Sequence, residues 1–304
     1  MQSWSCIVGG MLVVLEASAQ PPVALMHVAL SGDQSKTVEV VQSSIDFDIR
    51  AGLVLVEAVL EGSPGLFVID TGAPGLILNQ KPEGSEDLNA RGVTGSMEVE
   101  EVRVEEFRVG SVRFSNLRAY KIDLSHLEER LQRKIDGLIG YDVLKEMEMV
   151  LDYPARTMTL LPLFGSDLIA GRRGEYLDFS LVNHIPAVSG QLGKRDILLG
   201  LDTGAGANVL NTSLGRPYRL KNGKVSKLRG ANRNTRRSAV VQAPVVIEGI
   251  ENSENPLDYW LMDLSQLHTD LDRPIDGVLG FPFLKQGKWS IHYGDQKIYL
   301  WNSL

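Results

Sequence analysis

The sequence predicts a mainly β fold built from two homologous lobes. Three observations carry that prediction: an acidic motif that occurs twice, a second motif repeated in register with it, and apolar runs of strand length along the chain. Asp70-Thr71-Gly72 follows the apolar run Leu66-Phe67-Val68-Ile69, and Asp202-Thr203-Gly204 follows Leu198-Leu199-Gly200-Leu201. The separation, 202 − 70, is 132 residues, and at that offset Asp46-Phe47 meets Asp178-Phe179, Ala73 meets Ala205 and Asn79 meets Asn211. Further along the offset becomes 275 − 135 = 140. There Asp123-Leu124-Ser125 meets Asp263-Leu264-Ser265, Ile135-Asp136-Gly137-Leu138-Ile139-Gly140 meets Ile275-Asp276-Gly277-Val278-Leu279-Gly280, and Tyr153 meets Tyr293. The unit is about half the chain, far longer than a solenoid repeat, so two lobes are the natural product.

The elements follow in chain order. Ile7 to Leu15 is an apolar stretch of signal-peptide length, with the small residues Ala17-Ser18-Ala19 after it, and residues 1–20 are read as a cleaved export signal. The stretch is too short to span a bilayer. It lacks a Lys or Arg before it and carries Glu16 near the cleavage point, so a misassigned start or a buried first strand is the alternative. Cleavage would remove Cys6, the one thiol. The expected location is therefore extracytoplasmic (periplasmic, secreted or cell-surface), and cytoplasmic if the signal does not function.

Residues 36–163 form the expected first lobe and 174–304 the second, divided in the loop-like stretch around Gly165, Gly171 and Gly174. Strand patterns include Val38 to Val41, Val54 to Leu60, Val109 to Phe114, Ala239-Val240-Val241 and Val245-Val246-Ile247, punctuated by Gly62-Ser63-Pro64-Gly65 and Asn255-Pro256. Short helices are expected over Ser125 to Lys134 and Gly140 to Met147, and again over Ser265 to Asp272 and Phe281 to Gln286.

Composition bounds the function. A chain of 304 residues with 43% hydrophobic content fills one large or two medium cores. Net charge is −7 and the isoelectric point near 5.4, which argues against a nucleic-acid partner. One cysteine and no Cys/His cluster of ligand spacing argue against disulfides and a zinc site, so no metal is expected. Gly72-Ala73-Pro74-Gly75 lacks the Lys of a phosphate-binding loop, so no nucleotide or other cofactor is implied.

Two acids presented by equivalent halves are what a proton-sharing carboxylate pair needs. At close range one ionises while the other keeps its proton, giving a base and an acid. The bland alternative is a real duplication whose acids are only structural. Asp136 and Asp276 also repeat, and a polar structural role, such as capping the helix that follows, fits them better than catalysis. His126 and His268 do not occupy equivalent positions and have no nucleophile elbow nearby, so helix-start or surface roles suit them better.

An apolar strand ending in Asp-Thr-Gly, followed about 65 residues later by an apolar-apolar-Gly turn (Leu138-Ile139-Gly140 and Val278-Leu279-Gly280), resembles the aspartic peptidases. The resemblance covers roughly residues 40 to 304. Ala73 and Ala205, with the phrases Val150-Leu151-Asp152-Tyr153-Pro154 and Phe179 to Pro186, resemble bacterial retropepsin-like proteins with two fused lobes more than pepsin, where a hydroxyl residue usually follows the Gly. The resemblance implies two β-barrel lobes with a cleft between them and an aspartic endopeptidase with Asp70 and Asp202 as its catalytic acids. Thr71 and Thr203 would hydrogen-bond across the lobe interface, with Gly72 and Gly204 completing the loops. It also implies a flap hairpin in each half. Candidates are Gly92-Val93-Thr94-Gly95 and the region of Gly230 and Ala231, neither of which shows the Tyr of pepsin's flap.

Glu98, Glu100, Glu101, Glu105 and Glu106 follow the first candidate, while Lys221, Lys224, Lys227, Arg229, Arg233, Arg236 and Arg237 surround the second. Both a solvated strand face and steering of an acidic peptide are open. The expected partner is a peptide or protein substrate. A chain that holds both halves is expected to work as a monomer. The alternative is a non-catalytic, peptide-binding envelope protein that retains the fold.

Overall fold

The computed structural model describes residues 12–14, 37–39, 43–83, 89–92, 95–163, 175–215, 221–230, 235–248, 250, 257–265 and 274–301. In the first half the strands are β1 (Leu12–Val14), β2 (Thr37–Glu39), β3 (Ser43–Asp46), β4 (Asp48–Arg50), β5 (Leu53–Leu60), β6 (Ser63–Ile69) and β7 (Leu76–Asn79). They continue with β8 (Asn89–Gly92), β9 (Gly95–Glu98), β10 (Glu100–Val109), β11 (Val112–Ile122), β12 (Gly137–Ile139), β13 (Met147–Asp152) and β14 (Thr157–Pro162). Helix α1 (Ser125–Leu131) follows β11, and the single turn α2 (Tyr141–Leu144) follows β12.

Six of these strands close on themselves in the order β10-β11-β7-β12-β6-β5, with β10 returning to β5 through Phe107 opposite Leu60. The apolar run that opens the acidic motif is the parallel partner of the apolar-apolar-Gly turn: Phe67, Val68 and Ile69 stand opposite Gly137, Leu138 and Ile139. Closure satisfies every strand edge of the ring and points Leu53, Leu55, Val68, Ile77 and Leu138 into one buried cluster.

In the second half, β15 (Tyr176–Val182), β16 (Ile185–Leu192), β17 (Arg195–Leu201), β18 (Asn208–Asn211), β19 (Lys221–Gly230) and β20 (Thr235–Ala243) come first. Then come β21 (Val245–Ile247), β22 (Leu257–Met262), β23 (Gly277–Leu279), β24 (Lys288–His292) and β25 (Lys297–Leu300), with the turns α3 (Thr212–Gly215) and α4 (Phe281–Leu284). The pairing order β20-β22-β18-β23-β17-β16 repeats that of the first ring. Here the closing strand is broken in two. Pro244, which has no N–H to give a ladder, separates β20 on β22 from β21 on β16.

A six-stranded antiparallel sheet, β3-β14-β13-β24-β25-β15, joins the halves. At its centre Val150 of β13 pairs with Ser290 of β24, the residue 290 − 150 = 140 positions later. Each residue at this point therefore faces its own counterpart, which places a local two-fold relation between the halves. Met149, Leu151, Trp289 and Ile291 from these strands are buried in the largest apolar cluster, which draws on both halves.

Several local expectations are adjusted by the structure. The helix expected to Lys134 stops at Leu131, because Gln132 adopts a left-handed conformation (φ 50°) and returns its N–H to the Glu128 carbonyl. The expected helices at 140–147 and 281–286 shrink to one turn each, since the chain re-enters a strand at Met147 and at Lys288. The expected helix at 265–272 lies outside the described residues beyond Ser265. Asp136 and Asp276 do not cap helices. Their carboxylates accept the backbone N–H groups of Leu66 (2.7 Å) and Leu198 (3.1 Å) and so pin the strands that deliver the acidic motifs.

The reading of residues 1–20 as an export signal lies outside the described residues except for β1, whose backbone pairs with β19. Among the described residues no helix is long and apolar enough to cross a membrane.

Candidate active site

Asp70 and Asp202 each stand at the first position beyond a buried strand. The Asp70 N–H donates to the Ile139 carbonyl at 2.9 Å and the Asp202 N–H to that of Leu279 at 3.0 Å, so each loop is tied to its own apolar-apolar-Gly turn. The chain then folds back tightly. Ala73 and Ala205 donate to the carbonyls of Asp70 and Asp202, while the Gly72 and Gly204 N–H groups reach the Oδ1 atoms of the same two acids at 2.9 and 2.8 Å.

The threonines lock the two loops to each other. Thr71 Oγ1 donates to the Leu201 carbonyl (2.9 Å) and accepts the Thr203 N–H (3.0 Å). Thr203 Oγ1 donates to the Ile69 carbonyl (2.9 Å) and accepts the Thr71 N–H (3.0 Å). All four groups are buried, so each bond is costly to lose: a buried donor or acceptor left without a partner costs about 1–3 kcal/mol. Thr71→Val, which keeps the shape and removes one donor and one acceptor, is expected to destabilise the fold by about 2–5 kcal/mol. Chemical denaturation measures this, and Thr203→Val is expected to match it.

The close approach of the acids requires glycine at one position. A Cβ on Gly204 would lie 2.6 Å from Asp70 Oδ2, inside any allowed contact, so a side chain there would displace the carboxyl group of the opposite loop. The glycines ending the apolar turns are similarly enclosed. A Cβ on Gly140 would sit 2.7 Å from the Gly75 carbonyl oxygen, and one on Gly280 would sit 2.5 Å from that of Ala207.

Both acids are almost fully buried, with 1% and 0% of their surface exposed. Burial raises the Asp70 carboxyl to about 7, opposed by hydrogen bonds from Asp202, Gly72 and Ala73. Burial, and then the Asp70 charge beside it, pushes Asp202 well above the usual carboxylate range. The pair titrates as a unit, and the arrangement favours one proton shared between two acids, held to a higher pH than either acid alone would hold it. Ala73 and Ala205 are fully buried and bring no hydroxyl to the carboxylates.

A frame of aromatic rings surrounds the pair. Tyr153 packs edge-on to Phe47 at 5.9 Å and against Phe281 of the other half at 6.1 Å; Tyr293 packs edge-on to Phe179 at 5.8 Å and to Tyr141 at 5.4 Å. Burial raises both tyrosine hydroxyls far above their ordinary range, and the charge of Asp202 reaches both. Each half thus sends a ring across to the short helix of the other. The repetition of Tyr153 as Tyr293 was the visible signal for these residues, but nothing in the spacing shows that their rings cross between halves.

Of the sequence-derived flap residues, Gly92 and Gly95 face each other at the end of the β8–β9 hairpin, which pairs with no other described strand. Val93 and Thr94 lie outside the described residues, as does Ala231 beyond Gly230 at the end of β19. The described residues include no group of three or more His, Cys, Asp or Glu side chains arranged to hold a metal ion.

Comparison with known proteins agrees with this geometry in part of the chain. No curated protein matches it. Residues 56–143, from the middle of β5 to the third residue of α2, match the model of the family described as aspartyl protease, and this segment carries Asp70, Thr71, Gly72 and the Leu138-Ile139-Gly140 turn.

Proposed function

We propose that the chain is an aspartic endopeptidase in which Asp70 and Asp202, one from each half, activate a single water against a peptide bond. The observation that carries this reading is the pairing of two buried acids on two loops that hold each other by reciprocal threonine bonds. The ionised carboxylate takes a proton from water as its oxygen attacks the peptide carbon, and the protonated carboxyl gives its proton to the carbonyl oxygen. Collapse of the tetrahedral diol breaks the C–N bond as the nitrogen takes up a proton, and no covalent intermediate forms. Asp202 Oδ2, buried with no hydrogen-bond partner among the described residues, is suited to meet the carbonyl oxygen or the water.

The two halves, residues 36–163 and 174–304, are read as lobes of a duplicated fold resembling bacterial retropepsin-like proteins; the matching strand orders and offsets support this. The chain is expected to act as a monomer on extended peptide segments, outside the cytoplasm if residues 1–20 serve as an export signal, with the β8–β9 and β19–β20 hairpins as flaps. No cofactor, metal or nucleic acid has a place in the mechanism.

The test is cleavage of a denatured protein substrate from about pH 3 to about pH 8, with and without pepstatin, by wild type, Asp70→Asn and Asp202→Asn. Activity lost in both variants supports the shared dyad. Absence of cleavage by folded wild type at every pH would instead favour the peptide-binding reading. Because burial raises both acids and no hydroxyl follows either glycine, the optimum is expected to be less acidic than pepsin's; a profile peaking near pH 2 would overturn that inference.

A further inference from the structure

The two loops share Asp-Thr-Gly-Ala in register but differ around it, as at Leu76 against Asn208, and one difference places a buried side chain on the Asp70 loop alone. His184, in the turn between β15 and β16, is 1% exposed, and its Nε2 lies 2.9 Å from the carbonyl oxygen of Gly72 in the opposite loop. The counterpart position, 184 − 132 = 52, is Gly52, whose φ of +81° and lack of a side chain leave nothing to reach the Gly204 carbonyl. A Cβ there would already press on Gly206 Cα at 3.1 Å. Among the described residues, the side chain that donates to the Gly72 carbonyl of the Asp70 loop therefore has no counterpart at the equivalent position beside the Asp202 loop.

The carbonyl that His184 engages belongs to the peptide unit whose N–H is that of Ala73, which closes the loop by donating to the Asp70 main-chain carbonyl at 3.1 Å and whose partial positive charge favours the ionised Asp70 carboxylate. A peptide that accepts at its oxygen is polarised and donates more strongly at its nitrogen. The carbonyl can only accept, so the imidazole carries its hydrogen on Nε2. Neutral and protonated rings both do so, and the donation does not itself titrate. Tyr141 packs against the imidazole at 6.3 Å between ring centres, with Asp142, Lys145, Glu146 and Tyr293 around the tyrosine and Asp70 and Asp202 across the loop.

We propose that His184 is a positioning residue that sets the polarity of the dyad: by donating to the Gly72 carbonyl it makes Asp70 the carboxylate that ionises first and Asp202 the one that keeps the proton. The proposal rests on the dyad reading above and adds which acid is base and why. It explains how an internally repeated site becomes chemically directional.

The experiment compares wild type with His184→Phe, which fills the space without a donor, and His184→Gln, whose amide can still donate to the carbonyl. Two readouts are taken: the pH–rate profile of cleavage, and the pH dependence of the melting temperature, which reports proton release from the buried pair whether or not substrate is cut. In His184→Phe, loss of the donor is expected to move the acid limb of the rate profile and the midpoint of the melting-temperature curve to higher pH. The expected shift is about half a unit to one unit. His184→Gln is expected to restore most of it, and neither substitution is expected to shift the midpoint in an Asp70→Asn background.

A merely structural histidine would lower the melting temperature equally at all pH values and leave both positions unmoved; that result, or a glutamine no better than phenylalanine, overturns the proposal. If folded wild type cuts nothing at any pH, the endopeptidase reading fails, while the melting-temperature midpoints still decide whether His184 biases the two acids.

Discussion

Asp70→Asn and Asp202→Asn are each expected to lower cleavage by on the order of 10²–10⁴-fold while raising thermal stability at alkaline pH. The loss follows from roles that cannot be shared: with one acid replaced by an amide, the pair can no longer supply both a base and an acid. The stability gain follows from the direction of the shifts. Both carboxyls sit above their unfolded value of 3.8, so the protonated pair stabilises the fold fully below about pH 4. That contribution is lost as pH rises through the folded value near 7 for Asp70. An asparagine has no proton to lose and removes the neighbouring charge. At pH 8 each variant is expected to melt roughly 5–10 °C above wild type, the difference shrinking towards zero by about pH 4. Differential scanning calorimetry across this range checks the sign. Variants less stable than wild type at pH 8 would show that the acids are compensated by the protein rather than strained by burial.

Gly140→Ala and Gly280→Ala are expected to be strongly damaging single-methyl changes at the site. Each added Cβ would collide with backbone carbonyl oxygens of the acidic loop, those of Ala73 and Gly75 on one side and of Ala205 and Ala207 on the other. Backbone cannot rotate away as a flexible side chain could. Overpacking a core ordinarily costs 1–3 kcal/mol, and here about 3 kcal/mol or more is expected, a fall of roughly 6–12 °C in melting temperature. The collision also displaces the loop that carries the acid. The surviving folded fraction should therefore show a lower kcat, measurable by normalising activity to the folded population. Damage of similar size is expected from the two substitutions, because each added Cβ meets two backbone carbonyl oxygens of its own acidic loop, although the Gly140 N–H donates to the Gly75 carbonyl and the Gly280 N–H to the Asn208 side-chain oxygen.

Much of this site was legible without coordinates because the signals were local and periodic. Asp-Thr-Gly after an apolar run, the apolar-apolar-Gly turns and the two constant offsets of 132 and 140 identify both acids, both loops and the mainly β class. Strand patterns such as Val54 to Leu60 and Val245 to Ile247 lie within observed strands. Helix lengths were overestimated at 140–147 and 281–286, since residue propensity there yields to the strands that follow at once. The role of Asp136 and Asp276 was misplaced for a related reason: a carboxylate near a helix start reads as a cap, but the N–H groups of Leu66 and Leu198 lie 70 and 78 residues away in sequence and next to it in space.

The sequence alone determined that two equivalent acids exist and which residues flank them, because strand periodicity and repeat spacing are written in residue order. The resemblance implied that Thr71 and Thr203 bond across the halves, but tertiary structure alone supplied their partners Leu201 and Ile69, sent the rings of Tyr153 and Tyr293 across between the halves, and brought His184 to Gly72 where the counterpart Gly52 presents no side chain. The physical reason is that these contacts join residues more than a hundred positions apart. Their geometry is fixed by the closure of the first barrel, the matching strand order of the second half and one shared sheet, and no local pattern of residues encodes it.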